Sequence, residues 1–308
     1  MTATKDRTLM AAGLIAVYAF VIGFTDNYVR VIAEEAGLWQ FHFTRSCMTA
    51  VLLGLGAVVL GWRLRPRNWR AVVARSAIHG SAMVIYFGAL AFLDVALVAA
   101  GLFTAPIWVL LISRFAYGHA IGPVRAIAVA LGFVGVILVL GPEAFGGASL
   151  AALLPIIAGA MYAMGNIATR EWCGEESAQT LLAGFFGALG MIGAVGMLAL
   201  TLFPLEVPAG PDGFLQRGPV WASGQFYFWT FVQAAGSLIG VGFMIRAYQI
   251  TDASRASVLE YIILPASAFW TWVIWGKGLE PMAVVGMVLI AAAGSMIALP
   301  AKAQEAAA

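Results

Sequence analysis

Charge is what this sequence has least of. Seventeen Lys and Arg and fifteen Asp and Glu are only 10% of 308 residues, against about 25% in soluble domains. Hydrophobic residues fill 62% of the chain and the mean hydropathy is +0.92. Water cannot solvate an outer surface with so few charges, so most of that surface faces lipid. This excludes soluble enzymes, nucleic-acid binders and disordered scaffolds, and a net charge of +2 implies no polyanionic partner. Cysteine is nearly absent: Cys47 lies in an apolar run and Cys173 in a polar loop, so no disulfide framework is implied. Histidines 42, 79 and 119 are scattered, and no metal-ligand spacing occurs. Nucleotide chemistry is missing too, because Gly54-Leu-Gly56 lies mid-span without the Lys of a phosphate loop. No cofactor and no ATPase subunit are implied.

What is present is apolar length. A membrane helix needs about 20 mostly apolar residues, and ten such windows occur, at 9–31, 38–62, 72–93, 95–117, 124–141, 149–169, 178–203, 226–249, 254–275 and 281–300. The runs are continuous rather than alternating, which excludes a β-barrel pattern and predicts an all-α multi-pass membrane protein. Internal prolines (Pro106, Pro155, Pro265) are tolerable where neighbouring helices satisfy the freed backbone groups. Lys5 and Arg7 precede the first run as in a signal peptide, but no small-residue cleavage site follows, so it reads as a retained first span.

Basic residues set the orientation. With the N-terminus inside, the inner ends hold thirteen (Lys5, Arg7, Arg63, Arg65, Arg67, Arg70, Arg75, Arg114, Arg125, Arg170, Arg246, Arg255, Lys302) and the outer ends three (Arg30, Arg217, Lys277); Arg45, inside the second span, completes the seventeen. Both termini are therefore expected in the cytoplasm, with the protein in the bacterial inner membrane. The Pro- and Gly-rich 204–222 stretch reads as an ordinary external loop.

The chain also repeats itself. Ala89-Leu-Ala-Phe-Leu-Asp94-Val-Ala aligns with Ala247-Tyr-Gln-Ile-Thr-Asp252-Ala-Ser, and Tyr117-Gly-His-Ala-Ile-Gly-Pro123 with Trp275-Gly-Lys-Gly-Leu-Glu-Pro281, both at an offset of 158; Pro106 and Pro265 agree once one gap is allowed. Each half holds five spans, residues 1–145 and 146–308. Five is odd, so the second copy runs inverted, the pattern of secondary transporters with a site between the halves near mid-membrane.

On these features the sequence resembles the drug/metabolite transporter superfamily, in its ten-helix, two-repeat EamA type, over nearly the whole chain. Phe41-His-Phe-Thr-Arg45, Tyr86-Phe-Gly-Ala-Leu-Ala-Phe-Leu-Asp94, Phe103-Thr-Ala-Pro-Ile-Trp108, Gly132-Phe-Val-Gly-Val-Ile-Leu-Val-Leu140 and Ala247-Tyr-Gln carry the resemblance. Leu259-Glu260-Tyr261 is similar to an element of a subgroup that includes amine, amino-acid, riboflavin and S-adenosylmethionine carriers. The resemblance implies a small-molecule carrier and makes Trp108 a cavity wall. Where the family usually has Gly-Glu-Arg after the fourth span, this chain has Gly118-His119-Ala120, so no coupling role transfers to that position.

Polar groups inside the spans are the candidate site, because those retained in a membrane usually face the protein interior. Glu260 lies about 9 Å into the ninth span, beside Tyr261 and ahead of Pro265. It reads as a substrate or proton site, a cation or ammonium being its natural ligand, with cation–π attraction from the tyrosine. The alternative is a structural partner such as Arg246 or His79. Arg45 and Asp26 lie at similar depth on adjacent spans and read as an ion pair; the alternative is that Arg45 binds a substrate carboxylate. His79 shares a helical face with Met83 and Tyr86 and could relay protons or merely bond a neighbouring helix. Tyr162 with Asn166, and Gln225, Trp229 and Gln233, form polar–aromatic stripes suited to a cavity lining or to interhelical bonds. Trp270, Trp272 and Trp275 read as an interfacial belt. Glycines 184, 187, 190, 193 and 196 read as a close-packing face.

The function expected is secondary active transport of a small polar metabolite, amino-acid-like or amine-bearing, by alternating access, proton-coupled or by exchange. A passive channel or facilitator is the rival reading. An intramembrane enzyme lacks a nucleophile–base or metal set at depth, and a retinal protein lacks a buried Lys, Lys277 being at a helix end.

Overall fold

The computed structural model describes residues 7–89, 93, 95–141, 150–278 and 280–298. It is all-helical, and ten helical segments are long and apolar enough to cross a membrane: span 1 (Thr8–Glu35), span 2 (Leu38–Leu60), span 3 (Trp69–Ala89), span 4 (Leu97–Phe115), span 5 (Pro123–Leu140), span 6 (Leu150–Glu171), span 7 (Ala178–Leu202), span 8 (Gly224–Ile250), span 9 (Ala253–Trp275) and span 10 (Pro281–Ala298). The ends agree with the sequence windows to about one helical turn. Part of the first repeat match, Asp94 included, lies outside the described residues.

The usual soluble pattern is reversed on the surface. Val51, Leu55, Val58 and Val59 of span 2, Met191, Val195 and Leu198 of span 7, and Val284, Val285 and Val288 of span 10 all project outward, which in water would be a costly apolar surface and in lipid is the solvated one. Polar side chains are turned in. On span 2, Arg45, Ser46 and Thr49 are buried on the face opposite Val51 and Leu55.

The most extensive helix pairings are span 5 with 10, 1 with 8, 2 with 7, 3 with 6, 1 with 9, 4 with 6, 3 with 7 and 2 with 8. Adding five to each span number of the first half, and subtracting five from the second, maps this set onto itself. Small residues allow the closest approaches: a Cβ on Gly135 of span 5 would stand 2.7 Å from the Gly286 carbonyl oxygen of span 10. The span 7 glycines behave the same way. Gly184 backs onto Val72 and Ser76 of span 3, and Gly190, Gly193 and Gly196 onto Ser46, Phe43 and Trp39 of span 2, whereas Gly187 has open space beside it.

Three spans are interrupted. Span 1 breaks between helices Thr8–Asp26 and Val29–Glu35. In span 4, helix Val95–Leu102 ends before Ala105–Phe115, with Pro106 in the first turn of the second piece and the Thr104 hydroxyl bonding the Gly101 carbonyl at 2.6 Å. In span 9, helix Ala253–Leu259 tightens into a 3-10 turn, Glu260–Ile262, before Ile263–Trp275. The cause lies in the sequence: Pro265 has no N–H to give to the carbonyl four residues earlier, that of Tyr261, and its ring crowds it.

The 204–222 stretch differs from the ordinary loop expected. Arg217 donates to the carbonyls of Ala33 at 2.8 Å and Gly210 at 2.7 Å, the Leu38 amide bonds the Phe214 carbonyl at 2.7 Å, and Gln40 makes two 2.9 Å bonds with the Val220 backbone. Phe214 is buried with Ile32, Leu38, Phe41, Phe87 and Phe226. The loop is thereby strapped over one end of the bundle.

Candidate functional site

The broken spans meet at a cavity of about 730 Å³, within the roughly 300–1,000 Å³ of small-molecule sites. Arg30, Trp275, Lys277 and Phe214 line its end beside the strapped loop, which we call the mouth, and Tyr18, Tyr162, Met244 and Glu260 line the other end, which we call the floor.

Glu260 is buried at the break in span 9. The Tyr162 hydroxyl donates to its Oε2 at 2.8 Å, and Asn166 Nδ2 to its Oε1 at 3.4 Å. Tyr162 and Asn166 are one turn apart on span 6, so both reach the same carboxylate. The Tyr162 hydroxyl also lies 3.1 Å from Met244 Sδ. His79 of span 3 stands edge-on to Tyr162, with ring centroids 4.7 Å apart, and its Nδ1 has no partner among the described residues. Gly165 makes room for it, since a Cβ there would come within 2.7 Å of His79 Nδ1. Tyr261 lines the cavity too, its ring laid against Gly132 and its hydroxyl without a partner among the described residues.

A second polar group lies nearer the mouth. Gln233 of span 8 donates through Nε2 to the Thr25 carbonyl at 2.8 Å and to Asp26 Oδ1 at 3.2 Å, while its Oε1 accepts from Arg45 at 3.4 Å. The Arg45 guanidinium lies 4.8 Å from the Phe41 ring centre and 5.3 Å from that of Phe186. At the mouth, Arg30 lies 4.5 Å over the Trp275 ring, whose indole N–H bonds Asn27 Oδ1 at 3.2 Å.

The opposite end is closed by an ionic knot. Asp252, at the start of span 9, pairs with Arg125 of span 5 at 2.9 Å and with Arg170 of span 6 at 3.3 Å. Arg125 also bonds Ser254 at 3.0 Å, Arg170 bonds the Thr251 carbonyl, and Arg255 bonds Thr8 of span 1 at 2.8 Å. Four spans are tied together there, between the cavity floor and solvent.

The comparisons with known proteins agree with this architecture. Residues 9–141 match the EamA-like transporter family. The chain is 21% identical over 304 residues, 98% of both chains, to a protein of Helicobacter pylori named only as an uncharacterized transporter. It is 26% identical over 271 residues to the riboflavin transporter of Rhizobium johnstonii, covering 86% of this chain and 80% of that one. To the pseudopaline exporter CntI of Pseudomonas aeruginosa it is 22% identical over 291 residues, 92% of this chain and 95% of that one. A solved crystal structure shares the fold, with a TM-score of 0.74 at 18% identity over 93% of this chain and 96% of that one. The first five spans thus match the EamA-like transporter family, and relatives covering most of the chain are named as transporters.

Within this multi-pass membrane transporter, the sequence candidates divide clearly. Glu260, Tyr261, His79, Tyr86, Tyr162, Asp26 and Arg45 all line the one cavity, and Met83 joins His79 and Tyr86 on the cavity face of span 3. Asn166 and Gln233 act from just behind it, through Glu260, Asp26 and Arg45. Trp108 is not among the lining residues: it packs against the main apolar core. Trp229 stacks on Tyr28, with centroids 3.4 Å apart and planes 11° from parallel, also outside the lining. Gln225, the third member of its stripe, is exposed.

Two further expectations are corrected. Asp26 and Arg45 are not in direct contact, because the longer Gln233 amide reaches between them. Glu260 is held by Tyr162 and Asn166, in place of Arg246 or His79; Arg246 instead bonds Gln249 at 3.5 Å. The tryptophans separate as well. Trp272 is exposed as a belt residue would be, but Trp275 lines the mouth, and Trp270 packs on Phe20 and Phe24 while its indole bonds the Phe20 carbonyl at 2.9 Å. Tyr18 and Met244 line the cavity without any sequence motif having marked them, and Asp252, seen in the sequence only as part of the repeat, gathers Arg125 and Arg170.

Proposed function

We propose that this transporter is a secondary active carrier that moves a small polar, amine-bearing or amino-acid-like metabolite across the bacterial inner membrane by alternating access. The observation that carries the reading is Glu260: a buried carboxylate at a proline-induced helix break, on the floor of a cavity, held by a phenol and an amide from another span. Interrupted spans at corresponding places in two halves are where inverted-repeat transporters bind cargo. Spans 4 and 9, broken by Pro106 and Pro265, fit that description, and the self-mapping set of helix pairings supports residues 1–145 and 146–308 as the two inverted units. Both termini then lie in the cytoplasm, at the end closed by Asp252.

The ion pairs of Asp252 tie spans 5, 6 and 9 together at the end away from the strapped loop, an arrangement that suits one of the two states alternating access requires. Cargo entering from the mouth displaces water over Glu260, and its ammonium, or a proton, neutralises the carboxylate. Release toward the cytoplasmic end requires the Asp252 pairs to part. Coupling to a proton or to a second cargo molecule follows from having one carboxylate that both can occupy. Riboflavin and pseudopaline, named for the relatives, are distinct cargoes on one fold, so side chains within the cavity set the choice.

The test is flux into proteoliposomes. The parent is expected to accumulate an amine-bearing cargo against its gradient when a pH gradient or an internal load of exchangeable cargo is imposed, and Glu260→Gln to lose accumulation. Equal accumulation by Glu260→Gln removes the residue from the mechanism, and equilibration without accumulation in the parent makes the protein a facilitator.

A further inference from the structure

The cavity has a second charged pole. Arg45 is 5% exposed, lines the cavity, and its side chain makes one hydrogen bond among the described residues, the 3.4 Å contact to Gln233; its Nε has no partner among them. Phe41, Phe87 and Phe186 stand around the guanidinium at 4.8–6.0 Å and leave it on the cavity lining. The acid facing it is Asp26, whose Oδ1 is occupied by the Gln233 amide nitrogen. Beside Arg45 on span 2, His42 and Ser46 are buried with side-chain polar atoms that have no partners among the described residues, as is Thr230, one turn before Gln233 on span 8. A buried guanidinium without direct anionic contact is costly to keep, and a planar donor fork suits a carboxylate.

The two poles are well separated. Along span 1, Tyr18 stands at the floor with Glu260, and Asp26 stands eight residues on, beside Gln233 and Arg45. Eight residues of helix rise about 12 Å. Farther toward the mouth, Arg30 and Lys277 add two more cations. A molecule lying along span 1 therefore meets a carboxylate at its deep end and cations toward its outer end, the order that orients an extended dipole.

We infer that Arg45 binds a carboxylate of the transported molecule while Glu260 binds its amine, so that the cargo is an elongated amino-carboxylate. Its two charges are separated by several bonds, because an α-amino acid, whose charges share one carbon, does not reach both poles. The inference rests on the carrier reading above and extends it.

The experiment uses the purified full-length protein and measures binding by ligand-induced thermal shift. The probes are 6-aminohexanoate and 8-aminooctanoate, each beside its carboxamide (amine only) and its N-acetyl derivative (acid only), with glycine as the short comparator. The parent is expected to bind at least one ω-amino acid about tenfold more tightly than either singly blocked form, and glycine more weakly still. Arg45→Gln is expected to equalise the acid and its carboxamide while keeping the preference over the N-acetyl form. Glu260→Gln is expected to do the reverse. Arg45→Lys, which keeps the charge, is expected to restore part of the acid preference and serves as the variant to read if Arg45→Gln fails to fold. A parent that binds carboxamide and acid equally, or an Arg45→Gln whose ratio matches the parent's, overturns the anion pole. If the carboxamides still bind through Glu260, the carrier reading survives that result. A parent that responds to no probe overturns the elongated dipole, and the flux assay with Glu260→Gln then decides the carrier reading separately.

Discussion

The Tyr162 hydroxyl donates to Glu260 Oε2 at 2.8 Å, joining span 6 to the break in span 9 across the floor of the cavity. A hydrogen bond to a charged group contributes about 1.5–3 kcal/mol, and the same phenol touches Met244 Sδ. Tyr162→Phe keeps the ring, its edge contact with His79 and its packing, and removes only the donor. Apparent affinity for an amine-bearing cargo is expected to change by about tenfold or more, with the unliganded melting temperature lowered by several degrees. A variant indistinguishable from the parent in uptake and in ligand-induced thermal shift would detach the phenol from the site.

The glycine ladder of span 7 separates into contacts and a gap. A Cβ on Gly196 would run into the Trp39 ring, and one on Gly193 would stand 2.7 Å from the Trp39 carbonyl oxygen, but one on Gly187 meets nothing within 4 Å. Gly196→Ala is therefore expected to destabilise the detergent-solubilised protein by about 1–3 kcal/mol. Gly187→Ala is expected to be neutral or stabilising by up to about 1 kcal/mol, since alanine is the better helix former. Melting curves of the two variants side by side test this, and equal losses would mean that Gly187 packs against something during the experiment.

Much of the architecture was legible because lipid imposes a blunt rule: apolar length specifies spans, and a polar residue inside one faces inward. That rule picked out Glu260, Arg45, His79, Tyr162 and Asn166, all of which are turned inward, Tyr162 and Asn166 onto Glu260. It failed where side chains are ambivalent. An aromatic ring suits a core as well as a cavity, so Trp108 and Trp229 were placed in the lining and are outside it, while Tyr18, set in an unbroken apolar run, gave no sign of lying on the floor. The Asp26–Arg45 pair missed Gln233 because depth along two helices says nothing of what a third inserts between them. Arg125, Arg170 and Asp252 read only as charge at span ends; their convergence on one carboxylate is tertiary and has no local pattern.

Arg217 is the fastening of the strapped loop. Its guanidinium bonds the carbonyls of Ala33 and Gly210, and so holds the segment that buries Phe214 beside the cavity mouth. Arg217→Ala leaves those carbonyls without a charged donor. The 204–222 segment is expected to become several-fold more sensitive to limited proteolysis, while the rest of the bundle stays resistant. Unchanged cleavage kinetics would assign the strapping to Phe214 and Gln40 alone.

The knot at the closed end offers a test of opening that needs no cargo. Cys173 follows Arg170 by less than one turn, is buried, and its carbonyl accepts from Gln249 at 3.2 Å. Burial pushes its thiol up to about 11. Because the thiolate is the reactive form, maleimide labelling in a Cys47→Ser background should be slow at neutral pH and rise about tenfold per pH unit toward that value. Asp252→Asn removes the shared counter-charge of Arg125 and Arg170, so the closed end should part more often and hydrate the thiol. A solvated thiol titrates near 8.5, which raises the thiolate fraction at neutral pH by about two orders of magnitude. The variant is therefore expected to label faster at pH 7, and its advantage to shrink above pH 11, where both thiols are ionised and only the difference in access remains. Equal rates at pH 7, with the fold verified by its melting curve, would show that Asp252 does not hold this end shut.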